Sequence, residues 1–260
     1  MKNFLLFIFS FVVVGGMFNA ISLAWAEEAR AKVEIKSAKV EVKKGEDFDF
    51  SIPKNKDDYP KAAKELRNLA KSWKDADKMT AAQAEDADQL ALTWMALFGG
   101  ADQIAQSIQS NPKFTKLSEK EKNQISRAVK IEEYRNHKLI ESLGAEGVAH
   151  YAHLYFQAEA NILEKLVSGK TLDEIIKTPE NSKILVKYVA ATQGLRALGP
   201  TAVPVLDSLR HQCEKLGLKE VAEDFEKLSK DGQSDEVRDY VKKRDDALKD
   251  AEKEEDQKQR

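Results

Sequence analysis

A single cysteine, six prolines and twelve glycines are spread over 260 residues. One cysteine excludes a disulfide-stapled scaffold. So few prolines and glycines exclude collagen-like and low-complexity chains. Charge of one sign is lacking too: 42 Lys and Arg stand against 44 Asp and Glu, a net of -2. That balance argues against a general nucleic-acid surface. The strings Gly-x-Gly-x-x-Gly, Gly-x-Ser-x-Gly, His-Glu-x-x-His and Cys-x-x-Cys do not occur. The common dinucleotide, hydrolase-elbow, zinc-protease and thiol-redox chemistries therefore lack their signatures. The chain does have 42% hydrophobic residues, enough to bury a core and to argue against wholesale disorder.

One long apolar run is present, at the start. Met1-Lys2-Asn3 precedes Phe4 to Val14, apolar apart from Ser10, and Ala24-Trp25-Ala26 precedes Glu27-Glu28. Positive start, apolar middle and small-residue site make a secretory signal layout, with residues 1–26 expected to be removed. The competing expectation is an uncleaved anchor, since Phe4 to Ala26 is long enough to cross a bilayer. Cleavage leaves 234 of the 260 residues and removes Lys2 as the only charge. The mature chain is then expected in the periplasm or secreted, and off the membrane.

Residues 27–57 read as an extended segment. Val40 and Val42 alternate with charged residues, as do Phe48, Phe50 and Ile52 with Asp49 and Ser51, around a turn at Lys43-Lys44-Gly45-Glu46. Period-2 alternation about a glycine turn predicts a small β-hairpin within 32–52. From 58 onward the pattern is helical. Pro60 suits a first turn with Asp58 as its cap, and Thr80 caps the next helix. Leu90 to Phe98 is apolar at every position but Thr93, the mark of a buried central helix. A short helix is expected over 101–109. Ser118 with Glu121, and Thr171 with Glu174, have capping-box spacing. Gly144, Gly169, Gly217 and Gly232 read as helix stops. Leu195 to Leu206 locally resembles a HEAT-type helical repeat, but no second copy follows at a fixed period, as an array requires. The expected fold is mainly α, a multi-helix bundle or stacked helix hairpins with a small N-terminal β-hairpin. Residues 58–233 form its helical domain and 234–260 a charged C-terminal helix or tail.

The most suggestive cluster of side chains surrounds a turn at 143–147. Glu133, His137 and Glu141 lie four apart on the incoming helix; Glu146, His150 and His153 follow at spacings of four and three. Such spacings align side chains on one helical stripe. If the helices fold back, His137 faces His150 and Glu141 faces Glu146. Imidazole and carboxylate together suit Zn, Cu or Ni. Against a metal, neither helix carries a Glu-x-x-His pair, and His150 and His153 fall on a polar stripe with Gln157, Asn161 and Glu164. The alternative for these residues is a solvated or salt-bridged helix face. Ser168-Gly169-Lys170-Thr171 copies the end of a phosphate loop, but position 164 is Glu where that loop needs Gly. A helix stop and a cap explain the same letters. Trp73, Trp94, Tyr151, Tyr155 and Phe156 are spaced as core residues, Tyr134 and Tyr240 as surface ones, and Cys213 as a buried, inert thiol.

The expectation is an exported, non-enzymatic helical protein, without a cofactor, that binds or scaffolds other macromolecules in the cell envelope. Its partner is expected to be another protein rather than nucleic acid. The alternative is an exported metal-binding protein using His137, Glu141, Glu146, His150 and His153.

Overall fold

The structure, a computed structural model, describes residues 50–98 and 117–259. The signal segment, the helix expected over 101–109 and all of the expected hairpin but its last three residues lie outside that range. Within it the protein is mainly helical, and no strand occurs among the described residues. Phe50, Ser51 and Ile52 do not continue a ladder: the Ile52 N–H donates to the Phe50 carbonyl at 2.8 Å, a tight local turn that a strand does not make.

Nine α-helices are described: α1 (Tyr59–Ala76), α2 (Ala81–Leu97), α3 (Glu119–Ser142), α4 (Gly144–Val167), α5 (Leu172–Lys177), α6 (Ser182–Ala197), α7 (Val203–Leu216), α8 (Lys219–Gln233) and α9 (Asp235–Gln259). Short 3-10 turns lie at Lys56–Asp58, Pro179–Asn181 and Gly199–Ala202. The chain divides into two compact units, Met1–Asp47 with Ala96–Glu132, and Phe48–Met95 with Glu133–Arg260. In the first, Ser118 and Glu121 form the expected capping box, Glu121 N–H to Ser118 Oγ at 3.3 Å and Ser118 N–H to Glu121 Oε2 at 2.7 Å.

In the second unit the central helix is α4, not the Leu90–Phe98 segment. Fourteen α4 residues are buried, and the helix packs chiefly on α1 and α6. Small residues explain the choice. Ala149, Ala152, Ala158 and Ala160 keep its girth low and let neighbours approach from several sides. The expected Leu90–Phe98 segment contributes buried Ala91, Leu92 and Trp94 to the same unit. On α1, Ala62, Ala63, Leu66, Leu69 and Ala70 form the buried stripe. A ring cluster of Tyr155, Phe156 and Phe225, with centroids 5.2–5.7 Å apart, joins α4 to α8.

Local punctuation follows the capping rules. Thr171 and Glu174 make their capping box, and Thr80 makes another with Gln83. Asp58 makes no side-chain cap; Asn55 Oδ1 instead accepts the Asp57 N–H one turn earlier. The phosphate-loop look-alike is a helix ending. Gly169, with φ of +87°, lets its N–H reach Leu166 O and the Lys170 N–H reach Lys165 O. Gly232 is no stop: α8 runs past it, and a Cβ there would meet Val203 Cγ2 at 3.0 Å and the Gly199 carbonyl oxygen at 3.1 Å. Cys213 is fully buried, and burial pushes its thiol up to about 12.

Gly194 is the tightest contact. A Cβ on it would sit 2.4–2.5 Å from the Tyr151 ring. That ring cannot retreat, being wholly buried with its hydroxyl donating to the Ala87 carbonyl at 2.8 Å. Helix propensity alone favours Ala over Gly by about 1 kcal/mol. Overpacking costs about 1–3 kcal/mol, more where the neighbour is pinned. Gly194→Ala is therefore expected to lower stability, by roughly 1–2 kcal/mol in urea unfolding after the two effects offset; a variant more stable than the parent would overturn this packing.

Candidate functional site

Three polar junctions lie inside the second unit, and each joins helices distant in sequence. The first centres on His150 of α4. Its Nδ1 lies 3.0 Å from Asp77 Oδ2, in the turn after α1, and its Nε2 lies 2.9 Å from Asp88 Oδ1 on α2. The side chain is 4% exposed. With both nitrogens facing carboxylates, the imidazolium is the form that donates twice. Burial works against that charge, but the hydrogen bonds and charges of Asp88 and Asp77 outweigh it, so His150 is held above its ordinary value. Neither nitrogen keeps a lone pair for a metal. One turn on, His153 Nδ1–H donates to the Ala70 carbonyl oxygen at 2.8 Å. Burial, with Lys74 and His150 nearby, holds His153 below its ordinary value.

The second junction docks α9 on α3. Arg244 is 2% exposed, the largest fully buried side chain described. It reaches Glu141 Oε2 at 2.7 Å and Asp245 Oδ1 at 2.8 Å, and its Nη1 donates to His137 Nδ1. Burial first, and the adjacent guanidinium second, push His137 down to about 3. The ring is thus neutral and accepts. Tyr240 donates to Glu133 Oε1 at 2.9 Å. Trp94 and Tyr240 lie against His137, with ring centroids at 5.5 and 5.0 Å.

The third junction holds the start of the described chain. The Ser51 N–H donates to Glu159 Oε1 at 3.0 Å, and its hydroxyl donates to Asp224 Oδ2. Tyr155 donates to the same Asp224 oxygen at 3.0 Å. Burial, then Glu159 and Asp224, hold the Tyr155 phenol well above its usual value, so it stays a donor.

The five residues singled out by spacing are thus divided. His137 and Glu141 meet Arg244, His150 meets Asp77 and Asp88, His153 meets a main-chain carbonyl, and Glu146 is exposed. His137 and His150 thus meet different partners, Arg244 for one and Asp77 with Asp88 for the other. Among the described residues no group of three or more His, Cys, Asp or Glu is arranged to hold a metal ion. Two readings of exposure are corrected as well, while the salt-bridged alternative holds for Asn161 and Glu164. His150 is buried rather than solvated. Tyr134 is 8% exposed and packs on Tyr240 at 5.5 Å. On the polar stripe, Asn161 and Glu164 bind Arg67 of α1, at 2.8 and 2.6 Å; that pair is half exposed and worth about 0–1 kcal/mol. No described helix is long and apolar enough to cross a membrane.

No protein-family model, no curated protein and no solved structure matches this chain. Its class is defined by the fold alone: a mainly α protein of helical-bundle type.

The two buried histidines oppose each other in pH dependence. His150 gains a proton on folding, so its contribution is complete below about pH 6.5, the unfolded value, and fades as pH rises through its raised folded value. His137 loses one, so its contribution is complete above about pH 6.5 and fades as pH falls toward 3. Urea midpoints taken from about pH 6 to about pH 9 should fall more steeply for the parent than for His150→Gln; parallel curves would count against the two-carboxylate clasp. Arg244→Ala should cost roughly 2–3 kcal/mol in urea at neutral pH. That lies below the usual 3–5 for breaking a buried pair, because Glu141 and Asp245 are 22% and 41% exposed and regain water. A loss under about 0.5 kcal/mol, the scale of a surface change, would mean α9 does not depend on this contact.

Proposed function

We propose that the protein is an exported, non-enzymatic helical protein that binds or scaffolds other macromolecules in the cell envelope, with another protein as its partner. The observation that carries this reading is the use made of the buried ionisable groups. Asp77–His150–Asp88, Glu141–Arg244–His137 and Glu133–Tyr240 each tie two or more helices together. Groups that chemistry would need as bases, ligands or nucleophiles are engaged in holding the frame. A rigid frame with structural interior polar groups is what a docking body requires. The signal layout of residues 1–26 supports export, and the exposed apolar side chains Leu139, Val167 and Val186 supply contact points on such a body.

Two measurements test this. Expressed with its own N-terminus, the envelope form should begin at Glu27; a form retaining Met1 in the cytosol would overturn export. A photo-crosslinking amino acid at Val186 should give one discrete protein adduct in intact cells. No adduct, or turnover of a substrate by the purified mature chain in hydrolase, transferase and redox panels, would overturn the binding reading.

A further inference from the structure

We propose that the slot between α4, α6 and α8 now holding Phe50 and Ser51 is a recognition site for a non-helical polypeptide with an aromatic residue followed by serine, and that a protein partner presenting this dipeptide displaces the chain's own segment. This deepens the protein-binding reading and rests on it.

The slot reads its occupant at three points. The Phe50 ring lies on the Tyr188 ring, with centroids 4.5 Å apart. Glu159, wholly buried, takes the main-chain N–H of the next residue at 3.0 Å. Asp224 receives the hydroxyl proton of Ser51, and the Tyr155 oxygen, itself a donor to Asp224, lies 2.9 Å from Ser51 Oγ. The chain then turns out through the Ile52-to-Phe50 hydrogen bond into Pro53. Nothing in this arrangement uses the covalent link to α1. It is the geometry of a bound peptide that happens to be tethered. Each contact sets a rule. Proline in the second position has no N–H for Glu159. Alanine there has no donor for Asp224. An acidic side chain there would meet two carboxylates. The aromatic position needs a ring.

The tether explains why the slot is filled at rest. Ile52, Pro53, Lys54 and Asn55 alone separate the segment from the first helical turn, and so short a link sets a local concentration on the order of millimolar. A free peptide at micromolar concentration cannot compete. A partner that also touches the body elsewhere can, because its own segment then arrives with the same advantage. Vacating the slot by mutation removes the need for that second contact.

The test uses the full mature chain and a fluorescein-labelled peptide copying Glu46–Lys56, read by anisotropy. The F50A/S51A double variant should bind the peptide at least tenfold more tightly than the parent. Adding Asp224→Ala should weaken binding at least tenfold, as should Ser51→Pro in the peptide. If the double variant loses helicity by circular dichroism, Ser51→Ala alone is used and the same ordering is expected. A folded variant that binds no better than the parent, or that binds the Ser51→Pro peptide equally well, overturns the proposal. Refusal of the peptide with the Val186 adduct intact sinks the slot and leaves the binding reading standing. Peptide bound in the expected order without that adduct does the reverse.

Discussion

A helix buried along most of its length has to satisfy its polar side chains from the elements packed on it, since water is excluded and an unmet buried group costs about 1–3 kcal/mol. α4 is in that position. His150 goes to Asp77 and Asp88, Tyr151 to the Ala87 carbonyl, His153 to the Ala70 carbonyl, Tyr155 to Asp224 and Glu159 to the Ser51 N–H. These partners are spread over α1 and the turn after it, α2, α8 and the non-helical residues 50–52. Satisfying one helix therefore fixes where α1, α2, α8 and residues 50–52 stand. Apolar burial supplies the drive for collapse, but it is tolerant of small slides and rotations. Directed hydrogen bonds are not, and here they set the register.

The junction of α9 follows the same logic on a helix that is far more polar. Val237, Val241, Arg244, Leu248 and Ala251 repeat at spacings of four and three, the seam of a helix packed along a neighbour. Four are apolar; the fifth is a guanidinium. An apolar residue at 244 would bury as well, and replacing buried charges by hydrophobes is often neutral or stabilising. What Arg244 adds is a single acceptable alignment. It must meet Glu141 and the Nδ1 of His137 at once, and it can do so in one register of α9 against α3. Tyr240, one turn earlier, finds Glu133 only in that register. Beyond Ala251 the helix carries exposed Glu252, Lys253 and Glu254 and has left the seam.

Local rules carried the sequence reading a long way. The helices, the capping boxes at Ser118 and Thr171, the stop at Gly169 and the inert Cys213 are all set by a few neighbouring residues, and all were legible. The 133–137–141 stripe was legible too, as a row of groups on one face needing partners. Its partner was not, because pairing across the turn at 143–147 is the nearest solution in sequence, while α9 lies about a hundred residues away. Two charged residues on apolar stripes held the remaining signal. Glu159 falls among Tyr155, Ile162 and Leu163, and Arg244 falls in the α9 seam. Polar letters in such positions mark interior junctions, yet periodicity alone does not say which element supplies the other half. Gly232 misled for a related reason: a glycine that admits another backbone and one that ends a helix are the same letter.

The chemistry of Glu159 constrains what can sit beside it. Beyond the first turn of a helix, every main-chain N–H is already bonded to a carbonyl of its own helix. A carboxylate buried in a helical body and calling for a main-chain donor can obtain one only from a helix start or from chain that is not helical. Phe50–Ile52 is such chain, and it meets the carboxylate at 3.0 Å. An acid at this depth thus holds non-helical chain in place, with the aromatic and hydroxyl contacts of Tyr188 and Asp224 beside it. Tyr155 is held protonated, Asp224 already accepts from two hydroxyls, and Ser51 directs its proton into a carboxylate rather than toward an open cleft.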